Sequence, residues 1–310
     1  MKAFTALGVD VGGTKVAAGV VSFPDGIVRV RCEIPTLPQR GGEAVLADVE
    51  RLVSELTSEA RSSGKPVEAI GVGVCEIVDR SGNIASTNCL AWTSNRVRER
   101  LSSIAPTVIE ADVRAAARAE AMFGAGRSAN CFLYVSIGTG ISSCLVIEGQ
   151  PFVGARGATG TMASGPLPGF DEVGTSALLP TLEQVASGPA LVSRFNQLHG
   201  NARCGQEVLT AAEAGDERAA RIVRSAAESV GGTIGLLVNV LDPELVVLGG
   251  GLGASMGIYR DSLIDSARRC IWWEGHRDLP IIPAMTGPDA GLLGAAAFAA
   301  CACAAVRSRC

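Results

Sequence analysis

The sequence predicts an α/β protein of two domains with a cleft between them, and three observations carry that expectation. Residues 8–15 read Gly-Val-Asp-Val-Gly-Gly-Thr-Lys, and residues 134–140 read Tyr-Val-Ser-Ile-Gly-Thr-Gly. Each is a β-type run that ends in glycines and is followed by a second β-type run, Val16 to Phe23 and Ile141 to Glu148. This is a strand, a tight turn and a strand, in which the missing Cβ atoms let backbone N–H groups approach an anion. Strand and helix signals then alternate. Finally, 310 residues suffice for two domains, each with its own core. The repeated hairpin reads as an internal duplication, so the two domains share one build. The expected division is a small N-terminal α/β domain over 1–112, completed by a C-terminal helix of about 297–310, and a larger α/β domain over 113–296.

In order, strands are expected at 5–11, 15–23 and 27–34, an amphipathic helix over 42–62, and a strand at 69–75. A turn at Asp79-Arg80-Ser81-Gly82-Asn83 follows. A short strand at 107–110 then runs through Ala111 and Asp112 into an Ala-rich helix to about 123. The second half opens at Asn130 with another β-meander. The six glycines and three prolines of 154–180 predict loop. Helices follow at 179–187, 189–198, 207–213 and 217–240. The strand Glu244–Leu248 ends in Gly249-Gly250-Gly251, with a helix from near Ala254. A last strand, Pro280–Pro283, leads through Gly287 to a closing helix from 289.

Composition narrows the function. The net charge is −4 and no basic cluster is long enough to suggest nucleic acid. Hydrophobic residues make up 47%, yet no uninterrupted apolar stretch of about 18 residues appears. The richest run, Ala295 to Val306, reads as a packed C-terminal helix. The N-terminal Met-Lys-Ala-Phe enters a strand almost at once, leaving no room for a signal peptide. The expectation is a cytoplasmic protein that does not engage a membrane. Ten cysteines are scattered without any Cys-x-x-Cys and read as reduced, buried small hydrophobes. The two histidines, His199 and His276, sit in polar, loop-like contexts and read as solvent-exposed, so acid–base chemistry falls to a carboxylate.

Gly12-Gly13-Thr14-Lys15 offers N–H donors, a hydroxyl and a cation within four residues. Asp10 lies two residues before the turn, and a carboxylate beside a phosphate loop suits magnesium held partly through water. The same residues also suit a polar hairpin with a solvated lysine. The run Val246-Val247-Leu248-Gly249-Gly250-Gly251-Leu252-Gly253 admits a dinucleotide-binding reading. It comes late, however, and no acidic residue ends the next strand to take a ribose hydroxyl. Glycines that let a nucleoside lie flat on the backbone fit it better. No Gly-x-x-x-x-Gly-Lys-Ser/Thr loop occurs. Asp112, at a strand-to-helix junction, suits a base that takes the proton of an attacking alcohol. It equally suits an N-cap for the helix that follows.

Gly8–Lys15, Gly138-Thr139-Gly140, Asp242-Pro243-Glu244 with the Gly249–Gly251 run, and Gly287–Ala297 appear in the order of one family. From Gly8 to about Ala300 the chain resembles the ROK family of sugar kinases, members of the actin-like ATPase superfamily. The resemblance implies two actin-like (ribonuclease H-like) domains with an ATP cleft between them. It implies that Asp10, Gly12, Gly13, Thr14, Lys15, Gly138, Thr139 and Gly140 bind ATP phosphates and magnesium, the metal through water on Asp10. Gly249, Gly250 and Gly251 would meet the adenosine, and Asp112 matches the catalytic aspartate. A homodimer is common among such kinases. With the first phosphate strand starting near residue 5, the helix-turn-helix of ROK repressors is not expected.

The departures from the family concern the acceptor. The family carries Asn-Asp where this chain has Ala111-Asp112, and Gly-Glu-x-Gly-His where it has Gly160-Thr161-Met162-Ala163-Ser164. A carboxylate and an imidazole that read sugar hydroxyls have thus become Thr161 and Ser164. The zinc-binding cysteine cluster, due between Ser164 and Leu182, has no cysteine, so structural zinc is not expected. Glu183, which the resemblance brings to the sugar, is retained. A family proline-glycine is replaced by Cys75-Glu76, and Asn88-Cys89-Leu90-Ala91-Trp92 only partly follows Asn-Leu-Pro-Gly-Trp. The acceptor positions are then Asn88, Ala111, Asp112, Thr161, Ser164 and Glu183. Together these point to ATP-dependent phosphorylation of a primary hydroxyl on a sugar or cyclitol, other than glucose, with Asp112 as base. Lost hydroxyl readers redirect a site. The alternatives are a catalytically weak sensor of the same fold, an ordinary hexose or N-acetylhexosamine kinase, and an oxidoreductase resting on Gly249–Gly253 alone.

Overall fold

The computed structural model describes residues 3–170 and 176–307. Three strands open the chain, β1 (Phe4–Val11), β2 (Lys15–Phe23) and β3 (Ile27–Pro35), then α1 (Gly42–Ser62), β4 (Ala69–Val74), α2 (Ser94–Leu101), β5 (Thr107–Ala111) and α3 (Asp112–Phe123). β6 (Cys131–Ile137), β7 (Ile141–Ile147), β8 (Gln150–Pro151), β9 (Pro166–Phe170) and β10 (Ser176–Thr181) follow. Next come α4 (Leu182–Ala186), α5 (Gly188–Asn196), α6 (Gly205–Glu213) and α7 (Glu217–Leu241). The chain closes with β11 (Leu245–Gly249), α8 (Gly250–Gly253), α9 (Ile258–Cys270), β12 (Ile281–Pro283) and α10 (Ala290–Arg307).

The chain divides into two compact units. One comprises Met1–Ser128, Val146–Thr159 and Met285–Cys310, the other Ala129–Leu145 and Gly160–Ala284. The sequence placed the boundary at Asp112, with α3 and the start of α10 in the larger domain. Instead α3 and all of α10 belong to the first unit, because α10 packs along α3 and on β1 and β4.

The first unit holds a five-stranded sheet in the order β3-β2-β1-β4-β5. β1, β2 and β3 form an antiparallel meander, while β1, β4 and β5 run parallel. Alternation along β1 sorts its side chains between the two faces. Leu7, Val9 and Val11 join the core made by α1, whose Val45, Leu46, Val49, Leu52, Val53 and Leu56 recur at helical spacing. Ala6 joins Leu292, Leu293 and Ala296 of α10 on the other. That second face is packed backbone to backbone. A Cβ on Gly8 would lie 1.8 Å from the Leu292 carbonyl oxygen, and one on Gly71 1.8 Å from that of Ala295. α10 meets α3 the same way, since a Cβ on Gly294 would lie 1.7 Å from the Ala115 oxygen. Residues 287–305 are long and apolar enough to cross a membrane by composition, but Leu292, Leu293, Ala295–Ala297, Ala299 and Ala300 are buried within this unit. Glu120 of α3, fully buried, secures the approach to α10 by accepting from the Met285 and Thr286 N–H groups at 3.0 and 2.7 Å and from the Thr286 hydroxyl.

The second sheet, in the order β12-β11-β6-β7-β8, repeats this plan. Taken from β8, its order β8-β7-β6-β11-β12 matches β3-β2-β1-β4-β5, and β6, β11 and β12 are parallel as β1, β4 and β5 are. The duplication expected from the two hairpins is therefore present at the level of the sheets. In the second unit α7 packs on α9 through Gly231 and Gly235, which carry no Cβ to meet the Leu263 oxygen and Cys270.

Five local features differ from expectation. Residues 166–170 and 176–181 pair as strands where the glycines and prolines predicted loop. α2 has so few apolar residues that only Val97 and Leu101 mark its inner face, and its N-cap is Thr93, accepting from Arg96 N–H. The glycine run after β11 is itself helical as α8, and the next helix starts at Ile258 rather than near Ala254. His276 is half-buried, with a ring nitrogen 3.1 Å from the Pro243 carbonyl and the other 3.4 Å from Asp242, and Cys204 and Cys270 are exposed.

Close packing at Gly71 has a measurable consequence. Gly71→Ala, which drives a Cβ into backbone, is expected to lower unfolding stability by about 3 kcal/mol. Gly165→Ala, with nothing within 4 Å of its Cβ, is expected to change it by less than about 0.5 kcal/mol in urea titrations.

Candidate active site

In the first unit, the C-terminal ends of three parallel strands converge on two carboxylates. Asp10 of β1 is in register with Gly73 of β4, and Val74 with Ala111 of β5, so Asp112 follows one residue beyond the sheet. Gly73 separates them: a Cβ there would lie 3.7 Å from Asp10 Oδ1 and 3.7 Å from the Asp112 Cα. Such strand ends are where open α/β sheets bind ligands. The first turn of α10 also reaches this point, since a Cβ on Gly291 would meet Asp10 Oδ2 at 2.3 Å.

Both carboxyls hold their protons unusually well. Burial, helped by the charge of Asp112 and opposed by Lys15, pushes Asp10 up to about 7. Burial likewise pushes Asp112 up to about 6, with Glu76 adding to the rise, and the Val113 N–H and Arg114 opposing it. The N-cap of α3 is Ala111, not Asp112, and has no side-chain cap; Asp112 is the first helical residue, with Oδ1 accepting from the Val113 N–H at 2.6 Å. The capping reading of Asp112 is thereby corrected. Beneath it, fully buried Arg114 donates to Glu110 Oε1, the Gly157 carbonyl and the Val78 carbonyl at 2.6, 2.8 and 2.6 Å, and so anchors the first turn of α3.

The glycine turn of this unit is tightly built. The Gly12 N–H is spent on the Lys15 carbonyl at 3.0 Å, and Thr36 donates its hydroxyl to the Gly12 oxygen and its N–H to the Thr14 oxygen at 2.6 and 3.0 Å. Lys15 opens β2 and pairs with Glu33 at 3.0 Å on the surface, an ion pair weak enough to exchange for an anionic ligand.

A group that the sequence marked only as a departure organises the neighbouring loop. Glu76, two residues beyond the end of β4 and 6% exposed, accepts from the Ser86 hydroxyl and from the N–H groups of Asn88, Cys89 and Leu90, at 2.5, 2.8, 2.6 and 3.0 Å. Burial alone would raise its pKa, but these hydrogen bonds outweigh it and hold the carboxyl below the usual range. Trp92 pins the far end of the loop by donating to the Gly42 oxygen at 2.7 Å. Asn88 is exposed on this loop, whereas the Ala111 side chain is buried in the α1 core and presents no polar group.

In the second unit the structure brings together two of the glycine motifs. The Gly138 N–H closes the turn on the Gly140 oxygen at 2.9 Å, and the Gly138 oxygen accepts from Gly188 at 2.8 Å. A Cβ on Gly138 would stand 3.8 Å from the Gly251 nitrogen. Gly249 is held against the Tyr134 ring, and Gly250 has φ 76° with its Cα against the Ile137 backbone. Beside Gly251 lies a cavity of about 400 Å³ lined by Gln206, Thr210, Glu213, Ser255 and Met256 among others. Glu183 Oε2 accepts from the Ile141 N–H at 2.9 Å, tying it to the Gly138-Thr139-Gly140 turn; Thr139 itself is exposed. Thr161 and Ser164 are both exposed, joined by a Ser164 N–H to Thr161 carbonyl bond of 3.2 Å.

Comparison with known proteins agrees with this architecture. The ROK family model matches residues 6–301. The glucokinase of Streptomyces coelicolor is 28% identical, over 94% of this chain and 96% of its own. The N-acetylmannosamine kinase of Escherichia coli is also 28% identical, over 95% and 98%. Among solved structures, a ROK family glucokinase from Streptomyces griseus in complex with glucose and AMPPNP superposes with a TM-score of 0.79 at 27% identity, covering 95% of this chain and 99% of the other. The chain belongs to the ROK family.

The elevated carboxyl pKa values set a pH dependence of stability. A carboxyl that binds its proton more tightly when folded stabilises the fold fully below its ordinary value near 3.8, and that contribution is lost as pH rises through about 6 for Asp112 and about 7 for Asp10. Asp112→Asn is therefore expected to melt at a higher temperature than the parent at pH 8 without ligands. The difference should close by about pH 4 in the same calorimetric series.

Proposed function

We propose that this protein is an ATP-dependent kinase that phosphorylates a primary hydroxyl of a sugar or sugar-like acceptor, with Asp112 as the general base. The observation that carries this reading is the Asp112 carboxyl beside Asp10 at the strand ends, with a pKa of about 6. A base there is ionised at neutral pH yet basic enough to take a proton from an alcohol in the transition state. In the step envisaged, the acceptor oxygen attacks the γ-phosphorus while its proton passes to an Asp112 carboxylate oxygen, and ADP leaves. In the first unit, Lys15 exchanges Glu33 for phosphate oxygen and the N–H groups around Gly13 and Thr14 stabilise charge on a phosphoryl group; in the second, the Thr139 and Gly140 N–H groups are the phosphate donors of their own turn. The cavity beside Gly251 suits the adenosine. Asp10, a desolvated carboxyl whose cationic neighbour Lys15 pairs with Glu33, fits a water-mediated magnesium ion, which would neutralise phosphate charge when bound.

The acceptor we favour is a modified sugar or a cyclitol with an exocyclic CH₂OH rather than glucose. Support comes from Ala111, Thr161 and Ser164, which replace the polar hexose readers of the ROK pattern. A cytoplasmic setting, where ATP is supplied, accompanies this reading. So does a homodimer, for which Leu236, Val240, Trp272 and Trp273 supply an exposed apolar face, the two tryptophans 84% and 62% exposed. The Asn239 side chain bonds α7 to the Cys270–Trp272 segment of that face.

The test is ADP release from ATP and magnesium across hexoses, amino sugars and C7-cyclitols. Turnover of a cyclitol or modified sugar well above glucose is the expected result. Asp112→Asn should lower kcat by about 10²–10⁴-fold, with parent activity rising through about pH 6. Glucose as the best acceptor would overturn the acceptor assignment, and ATP binding without turnover on any acceptor would favour a sensor. Trp272→Glu is expected to convert a dimer to a monomer by light scattering without loss of helical signal.

A further inference from the structure

Two thiols that the proposed chemistry leaves idle lie in the loop-and-strand region beside Asp112. Cys75 immediately follows β4, and Cys89 lies in the loop whose amides Glu76 holds; both are free and partly accessible. The Glu76 side chain links the two segments, since this neighbour of Cys75 accepts the Cys89 N–H on Oε1 at 2.6 Å. The Cys75 thiol lies within interaction range of that of Cys89 and feels the charges of Asp112 and Glu76. On its other side, Cys89 Sγ comes within 3.4 Å of the position a Cβ would take on Gly13. A thiol pair thus spans the space from the strand end at Asp112 to the first glycine turn.

We propose that Cys75 and Cys89 are a modification site, closing to a disulfide by exchange with a small-molecule disulfide and thereby switching off the acceptor site. The consequence for activity rests on the kinase reading above; the disulfide does not. In the first step the Cys89 thiolate attacks one sulfur of oxidised glutathione, forming a mixed disulfide and releasing one glutathione thiolate. In the second, Cys75 loses its proton and attacks Cys89 Sγ, releasing the second glutathione. The protein pair gives up two electrons and two protons, and one glutathione disulfide becomes two glutathione thiols. Burial first, and then the Asp112 charge, push the Cys75 thiol up, so the reduced state gains no stability from ionisation, which favours the closed form while slowing its formation. A disulfide requires the two Cβ atoms to approach to about 3.8 Å. Because Cys89 rides on amides fixed by Glu76, that approach displaces Asn88 and the turn below Gly13.

The chain is cleaved after Arg80 by trypsin, which separates Cys75 from Cys89, so the disulfide appears as a cross-linked peptide pair. The folded full-length protein is equilibrated with glutathione redox buffers and read by peptide mass, by amide exchange at 88–90, and by phosphoryl transfer. Expected are a Cys75–Cys89 cross-link, altered exchange at 88–90, and a fall in transfer on the order of tenfold or more that dithiothreitol reverses. Cys75→Ser and Cys89→Ser should each keep their own reduced activity under the same oxidant. Glutathione on exposed Cys204 and Cys270 without a Cys75–Cys89 cross-link overturns the site. A cross-link that leaves exchange and transfer unchanged overturns the switch. Cross-link and exchange are read without turnover, so a protein that phosphorylates nothing would sink the kinase reading and leave this site decided on its own.

Discussion

The first unit depends on the direct contact of α10 with the backbones of β1 and β4. Gly8 and Gly71 have no Cβ, and neither has Gly294 where α10 meets α3, so helix and sheet approach more closely than side chains would allow. This contact closes the unit with a segment remote in sequence. It also sets the position of the first turn of α10 at Asp10, where Gly291 again leaves room only because it lacks a Cβ. Desolvation of Asp10, the largest cause of its raised pKa, follows from that packing.

Two kinds of sheltered acid result, and they differ in what surrounds them. Glu76 and Glu120 are encircled by N–H and hydroxyl donors that match their lone pairs, which satisfies a buried carboxylate and makes it a fastener. Asp10 and Asp112 receive fewer donors; burial raises the proton affinity of both, with the Asp112 charge adding to it at Asp10 and the Glu76 charge at Asp112. An under-compensated pair at the ends of parallel strands stores a preference for a cation or a proton. The role proposed for Asp10 and Asp112 rests on that preference, whereas Glu76, in the loop after β4, and Glu120, in α3, only fasten the chain around them.

Much of the fold was legible. The β-type runs flanking Gly12-Gly13 and Gly138-Thr139-Gly140 marked two hairpins, and their repetition marked the duplication that the sheet orders bear out. The apolar spacing of residues 45–56 marked α1. The less legible elements are those whose stability is not local. α2 carries two buried aliphatic residues on a charged background, and the strands at 166–170 and 176–181 carry turn-forming residues yet pair with each other. Glu76 was visible only as a departure, since a glutamate that accepts three backbone N–H groups looks in sequence like any surface acid.

The sequence by itself determined that there are two hairpin-led α/β halves, that the carboxylate at the β5–α3 junction is Asp112, and that the glycine turns stand where they do. These follow from periodicity and from the unique freedom of glycine, which are properties of neighbouring residues. Only the tertiary structure decided that α3 and α10 belong to the first unit, that Asp10 and Asp112 share one strand-end environment, that Gly138 and Gly251 adjoin, and that Glu76 governs the loop bearing Asn88 and Cys89. Each of these joins residues far apart in the chain, and burial, which sets both pKa and packing, has no value until the chain is folded around the group.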